Sequence, residues 1–409
     1  MSVAVAILLL VTVPVVAAAL LRWARCPGWA VLGGAVAGIV LGPSIFGRAL
    51  PAQFQTFYVG GIEQQAELEH FVRRQQADAI AAEHAGAGPE RLAELTEQQK
   101  LARDGLDTAW NEAKWADQRP LRAFTVAVVV LTLLGAGPRS GRHDGGQPQP
   151  RNLVASMSVG AWSAGLPGGL AFAAMYWPWH RPLPEAVLVG AAVAIGPWVL
   201  TLIDREAADQ AELGGAHMIQ RAGLIATLLA IAAVGWGLWL HQGLAGLLLT
   251  TPLLAAPLAH HFFPQKGSGV VFGGFRAMGG AWVEPVLVPV LAGCVAIKID
   301  LFAHFAVWPI VVLLLLSGDG RWLGAYLGAM VLGGRGSLRT MRLVLGTMAC
   351  GPTQLAITAI AIHTWSIPGE YAMALLLGAV LIETTVGARR SMARRLIQTE
   401  EEIERMTQE

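Results

Sequence analysis

About eleven apolar stretches, most of them near the twenty residues that a helix needs to cross a bilayer, run the length of this chain. They lie at 2–21, 29–47, 122–137, 153–177, 185–203, 217–240, 243–262, 281–299, 303–334, 341–364 and 370–388. In hydrocarbon every backbone N–H and C=O must find a partner within the protein, and a helix supplies those partners inside one segment. The pattern therefore predicts an all-α polytopic membrane protein, with the lipid bilayer as its first partner. Composition agrees. Only 14% of residues are charged, where soluble domains carry about 25%, and mean hydropathy is +0.52. The first stretch has no basic segment before it, so the expectation is a membrane helix and not a cleaved leader.

Charge placement orients the spans. Lys and Arg collect on cytoplasmic loops, and here Arg22 and Arg25, Arg139, Arg142 and Arg151, Arg205, Lys266 and Arg276, Arg335 and Arg339, and the group Arg389, Arg390, Arg394 and Arg395 fall on alternate connections. The ninth stretch contains Ser317-Gly318-Asp319-Gly320-Arg321, which would permit a twelfth span, but splitting it would place the last arginine group outside. The reading is eleven spans, an external N-terminus and a cytoplasmic tail over 391–409, in a bacterial cell membrane.

Residues 52–118 break the plan, because they are too charged to enter lipid. They separate two spans in 1–51 from the remaining spans in 119–390. His84-Ala85-Gly86-Ala87-Gly88-Pro89 punctuates two helix-forming stretches, 60–83 and 89–117, which predicts an extramembrane helical hairpin on the outer face. Two uses stand open for it: a solvated stalk or cap, and an arm that binds a protein partner.

Two Gly-Pro steps interrupt apolar spans, Gly196-Pro197 in the fifth and Gly351-Pro352 in the tenth. Proline removes a backbone donor and clashes with the preceding turn. Such breaks in corresponding places of two halves point to inverted repeats, with half-helix ends facing a central site. Ordinary proline kinks are the other reading.

Pro27-Gly28-Trp29-Ala30-Val31-Leu32-Gly33, with the run from Ala35 through Gly42-Pro43-Ser44 to Gly47, resembles the second-helix signature of the cation:proton antiporter superfamily. Pro289 to Leu301, ending in Ile299-Asp300-Leu301, resembles a further segment of that family, and Arg321 to Gly328 is similar to its Lys-containing helix. The resemblance covers most of the chain outside 52–118. It implies the sodium/proton exchanger fold with two broken, crossing helices, a homodimer, and transport of a monovalent cation against a proton. It also exposes departures. The family's ion-binding carboxylate corresponds to Ala226-Thr227, its Lys to Arg321, and its Arg-Gly-Glu-like run to Pro352-Thr353-Gln354. Arg cannot give up its proton, so a site built on Arg321 and helix N-termini would favour a small anion over a cation. Arg321 should be matched by Asp319, by carbonyls at the Gly-Pro breaks, or by a bound anion, since charges at membrane depth pair or reach water.

The ion-path candidates are thus Thr227, Arg321, Thr353, Gln354 and the backbone at Gly196, Pro197, Gly351 and Pro352. Lys298 and Asp300 fit either a pair at a helix boundary or a buried ionic site. Glu383, inside the last span, is a functional suspect as an intramembrane acid, or an acid reaching toward water. Cys26, Cys294 and Cys350 form no CxxC pair and are expected as packed thiols, and the histidines show no metal-ligand spacing. No P-loop, nucleophile elbow or HExxH motif occurs. The expectation is no enzyme, no cofactor and no nucleic-acid partner. Two functions follow: an ion transporter that lacks the family's usual carboxylate, or a transport-inactive scaffold or sensor that holds a partner through the 52–118 hairpin.

Overall fold

The structure, a computed structural model, describes residues 2–61, 89–135, 150–194, 214–244, 282–330, 351–364 and 366–408, with Thr250 and scattered positions between 64 and 77. Every element among the described residues is helical. The chain divides into two compact units, Met1–Leu9 with Ile45–Phe124, and Leu10–Ser44 with Thr125–Glu409.

The first unit carries the polar insertion. Short helices α3 (Phe46–Ala49) and α4 (Pro51–Phe54) lead into a π turn at Gln55–Val59, which gathers Phe46, Phe54, Phe57 and Tyr58 with ring centroids 5.7 to 6.5 Å apart. Burial in this knot pushes the Tyr58 phenol up to about 12. Gly60 and Gly61 then turn the chain with φ of 74° and 66°, angles that a side chain would strain. The described positions between 64 and 77 are helical, and α5 (Pro89–Asp117) opens on proline, which suits a first helical turn. Two bonds close the base of the arm. The Gly61 N–H donates to Asp117 Oδ2 at 2.7 Å, and Gln118 Nε2 donates to the Val59 carbonyl at 2.6 Å. From α5 the backbone ladder continues without a gap, Gln118 to Lys114 and Arg122 to Gln118, into α6 (Arg119–Gly135). The limit drawn at residue 118 is therefore a change of composition along one helical path.

The second unit holds the greater part of the apolar helices. These are α1 (Ser2–Trp23) from Leu10 onward, α2 (Trp29–Leu41), α7 (Pro150–Tyr176), α8 (Leu183–Ala194) and α9 (Gly214–Gln242). A π turn at Val283–Leu287 precedes α10 (Val288–Ala296), and α11 (Val307–Leu315) runs through a second π turn, Leu316–Gly320, into α12 (Arg321–Met330). Then come α13 (Gly351–His363) and α14 (Gly369–Gln408). Among the described residues, three helices are long and apolar enough to cross a membrane: Ala4–Trp23, Trp29–Ala49 and Val307–Met330. The last of these begins at Val307 and crosses the Gly-rich run as one helix, since a π turn absorbs an extra residue where two straight α-segments would need a break. The last helix, α14, continues past residue 390 to Gln408.

Glycines let these helices approach closely. A Cβ built on Gly38 would lie 2.5 Å from the Ala296 Cβ and 2.7 Å from the Gly293 carbonyl of α10, and at Gly324 and Gly328 it would strike the α7 backbone around Trp162 and Ser158. Small residues in register are how apolar helices gain contact when lipid offers them no hydrophobic incentive to associate. Gly38→Val should accordingly lower stability by about 1–3 kcal/mol through overpacking. Gly169→Ala, where nothing lies within 4 Å, should stay within about 0.5 kcal/mol of the parent. Melting midpoints in detergent check the pair, and equal midpoints would refute the packing account.

Candidate functional site

The π turn of the α11–α12 helix sets the polar centre of the second unit. By adding a residue to one turn it brings Ser317 and Arg321, each about 1% exposed, into the interior. Arg321 Nε donates to the Val193 carbonyl at 2.8 Å, and Nη2 donates to the same oxygen. That carbonyl stands one residue from the end of α8. In a continuing helix its partner would be the N–H four residues on, which is Pro197, a residue without one. The guanidinium serves this carbonyl, to which Pro197 can offer no N–H. Among the described residues Arg321 is met by a backbone carbonyl, that of Val193 in α8, shortly before Gly196-Pro197 in the sequence. Asp319, its neighbour in the same π turn, is exposed.

The second Gly-Pro step begins α13. Gln354, fully buried one turn in, donates through Nε2 to the Leu375 carbonyl at 3.1 Å and to Ser317 Oγ at 3.4 Å. Its Oε1 is buried with no hydrogen-bond partner among the described residues. Gly378 makes room for this amide, since a Cβ there would stand 3.2 Å from Nε2. Thr358 Oγ1 donates to the Gln354 carbonyl at 2.9 Å, and Thr353 is buried beside it. At the start of the helix the Gly351 N–H donates to Glu383 Oε1 at 2.9 Å. A carboxylate is favoured at a helix N-terminus because the first N–H groups lack partners and carry partial positive charge.

Other candidates occupy different surroundings. Asp300 Oδ1 accepts from the N–H groups of Phe302 and Ala303 at 3.0 and 3.4 Å, the bonds of an Asx turn, and its own N–H donates to His304 Nδ1. Ser44 Oγ bridges the same turn, donating to the Ile299 carbonyl and accepting from the Leu301 N–H. Lys298 sits just past α10, its N–H bonded to Val295. Both residues stand just past the end of α10. Thr227 falls within α9 with its side chain outside the described residues, and Gly196 and Pro197 lie outside them altogether. No group of three or more His, Cys, Asp or Glu able to hold a metal occurs among the described residues.

Sequence reasoning missed one cluster. Arg181, between α7 and α8, pairs with Glu370 and donates through Nε to the buried Tyr371 hydroxyl at 2.8 Å, while Trp179 lies 5.8 Å from the Tyr371 ring. The available signal was a lone arginine in a connection otherwise free of Lys and Arg, facing an acid in the first turn of the last span. Compared with protein-family models and with curated proteins, the sequence matches none.

Proposed function

We propose that this chain is a polytopic membrane ion transporter of antiporter type, with about eleven spans in inverted repeats and two broken helices that cross near a central site. The observation that carries the reading is the buried Arg321 guanidinium on the Val193 carbonyl. A buried charge is a poor way to gain stability, because desolvation consumes much of what its bonds return. A charge held on a backbone carbonyl among apolar helices is better accounted for by work done there. Gln354 adds a buried acceptor, Oε1, beside the second break. With Arg321 fixed in its charged state and threonine where the family keeps its carboxylate, this reading excludes ordinary cation/proton exchange through α9. The ion is a monovalent cation handled elsewhere on the path, or a small anion drawn to Arg321.

Flux in proteoliposomes tests the reading. Purified protein loaded against sodium, potassium or chloride gradients should move at least one of these ions or collapse an imposed pH gradient. Silence with every ion from acid to alkaline pH would overturn transport and leave the non-transporting scaffold or sensor as the function.

A further inference from the structure

The connection from α10 to α11 exposes its largest apolar side chains while closing its own backbone. Phe302, Phe305 and Trp308 are 63%, 60% and 73% exposed. No Lys, Arg, Asp or Glu occurs from Leu301 through Gly318. Large apolar side chains left open together mark a surface that something covers. From Trp308 the patch runs on into exposed Val311 and Leu315, at a spacing that shares one face of α11. That helix opens Val307–Met330, one of the three helices able to cross a membrane.

The backbone supplies a second, independent observation. Residues 297–306 lie outside regular helix, yet every N–H from Lys298 through His304 has a partner within the protein. Lys298, Ile299 and His304 donate to the carbonyls of Val295, Ala296 and Asp300. The Asp300 N–H donates to His304 Nδ1 at 3.0 Å, and the Leu301 N–H to Ser44 Oγ at 2.7 Å. Asp300 Oδ1 accepts the rest, from Phe302 at 3.0 Å and Ala303 at 3.4 Å. An Asx turn alone is common in wet loops, where water serves the remaining donors. An unbroken run of satisfied donors beneath exposed aromatic rings is what lipid demands, because no water is there to take an unmet N–H. A second copy of the chain could also cover the patch, but protein interfaces carry water and polar groups at their rims and impose no such closure.

We propose that residues 302–308 form a lipid anchor, with Phe302, Phe305 and Trp308 at the boundary between headgroups and acyl chains, and with Ser44, Asp300 and His304 closing the backbone so that the loop can lie there. Aromatic rings favour that boundary. Asp300 then acts in the placement of this loop in the bilayer. The inference rests on the membrane reading of these helices and is independent of transport.

Nitroxides on single cysteines test it, in the full chain with Cys26, Cys294 and Cys350 replaced and reconstituted in phosphatidylcholine vesicles. The readout is the ratio of collisions with oxygen, which concentrates in lipid, to collisions with a water-soluble nickel chelate. Leu315→Cys marks lipid, and Gly105→Cys, on the exposed side of polar α5, marks water. Phe302→Cys, Phe305→Cys and Trp308→Cys should each give a ratio several-fold above that of Gly105→Cys. Ratios equal to Gly105→Cys, with Leu315→Cys still lipid-like, would overturn the anchor and leave the membrane helices standing. A water-like ratio at Leu315→Cys as well would overturn the membrane reading together with the anchor. Few collisions with either reagent, with spin–spin broadening between copies, would give the patch to a second copy in place of lipid. Asp300→Ala, which frees the Phe302 and Ala303 N–H groups, should shift the Phe305→Cys ratio toward the water value, while Asp300→Asn, which keeps an acceptor oxygen, should not. An unchanged ratio in Asp300→Ala would overturn the role given to Asp300.

Discussion

Arg321→Ala is expected to cost this protein most of its folded state, as less monodisperse material from detergent and a melting midpoint far below the parent. Two losses combine. The Val193 carbonyl, which accepts from Nε and Nη2 of the guanidinium, would be left buried without a donor at about 1–3 kcal/mol. The vacated side chain would leave a cavity costing about 2–5 kcal/mol in a large-to-small replacement. Set against a net stability of about 5–15 kcal/mol, the sum is severe. Arg321→Met keeps most of the volume and should show the first loss alone, and Arg321→Lys, with one compact ammonium instead of a fork, should fall between Met and the parent. The cause can be isolated further. Pro197→Ala restores a backbone N–H four residues after Val193, so in the Arg321→Met background it should recover part of the lost stability, a non-additive pair in a double-mutant cycle. Strict additivity would show that the carbonyl freed by Pro197 is not what Arg321 serves. Sodium- or potassium-driven proton exchange in the parent that survives Arg321→Ala unchanged would remove Arg321 from the mechanism as well.

That bond also shows what the sequence could and could not disclose. Pro197 announces a carbonyl in need of a donor, because the chemistry of proline is local. Which donor arrives is not local: Arg321 lies 128 positions away, and no periodicity encodes the pairing. Gly351-Pro352 was legible as the edge of a helical piece for the same reason, and α13 does begin there. The Ser317–Arg321 run looked like an interruption, since Gly and Asp are poor helix formers; the helix passes through it by widening one turn, a solution that composition does not distinguish from a loop. Glu383 could be singled out as an intramembrane acid, but its role as the cap of α13 depends on Gly351 and Gly28 leaving room, and that is a tertiary fact. Asp300 forms an Asx turn with Phe302 and Ala303, a local role that neither of the two sequence readings names. The resemblance to antiporters stays what the quoted motifs imply.

Cysteine labelling in sealed vesicles should give an all-or-none answer on orientation. With Cys26, Cys294 and Cys350 replaced, Glu90→Cys should react with a membrane-impermeant maleimide added outside, and Gly145→Cys only after the membrane is opened. The basis is the arginine distribution, in which Arg139, Arg142 and Arg151 share a connection that the charge rule assigns to the cytoplasm. Arg181 is the awkward residue, since eleven spans put it outside. It is held there by Glu370 and by the Tyr371 hydroxyl, so its charge is matched within the fold and weighs little in the count. Eleven spans would leave two contacts within the second unit each on a single face. A Cβ at Gly28 would meet Thr384, bringing the connection after the first span to the inner part of the last, while one at Gly369 would meet His304, joining two connections assigned to the outside. An odd number of crossings between those connections would set such neighbours on opposite faces. Labelling of Gly145→Cys from outside, with Glu90→Cys protected, would invert every span together and put the hairpin in the cytoplasm. Reaction of both sites from outside would mean that 122–137 does not cross.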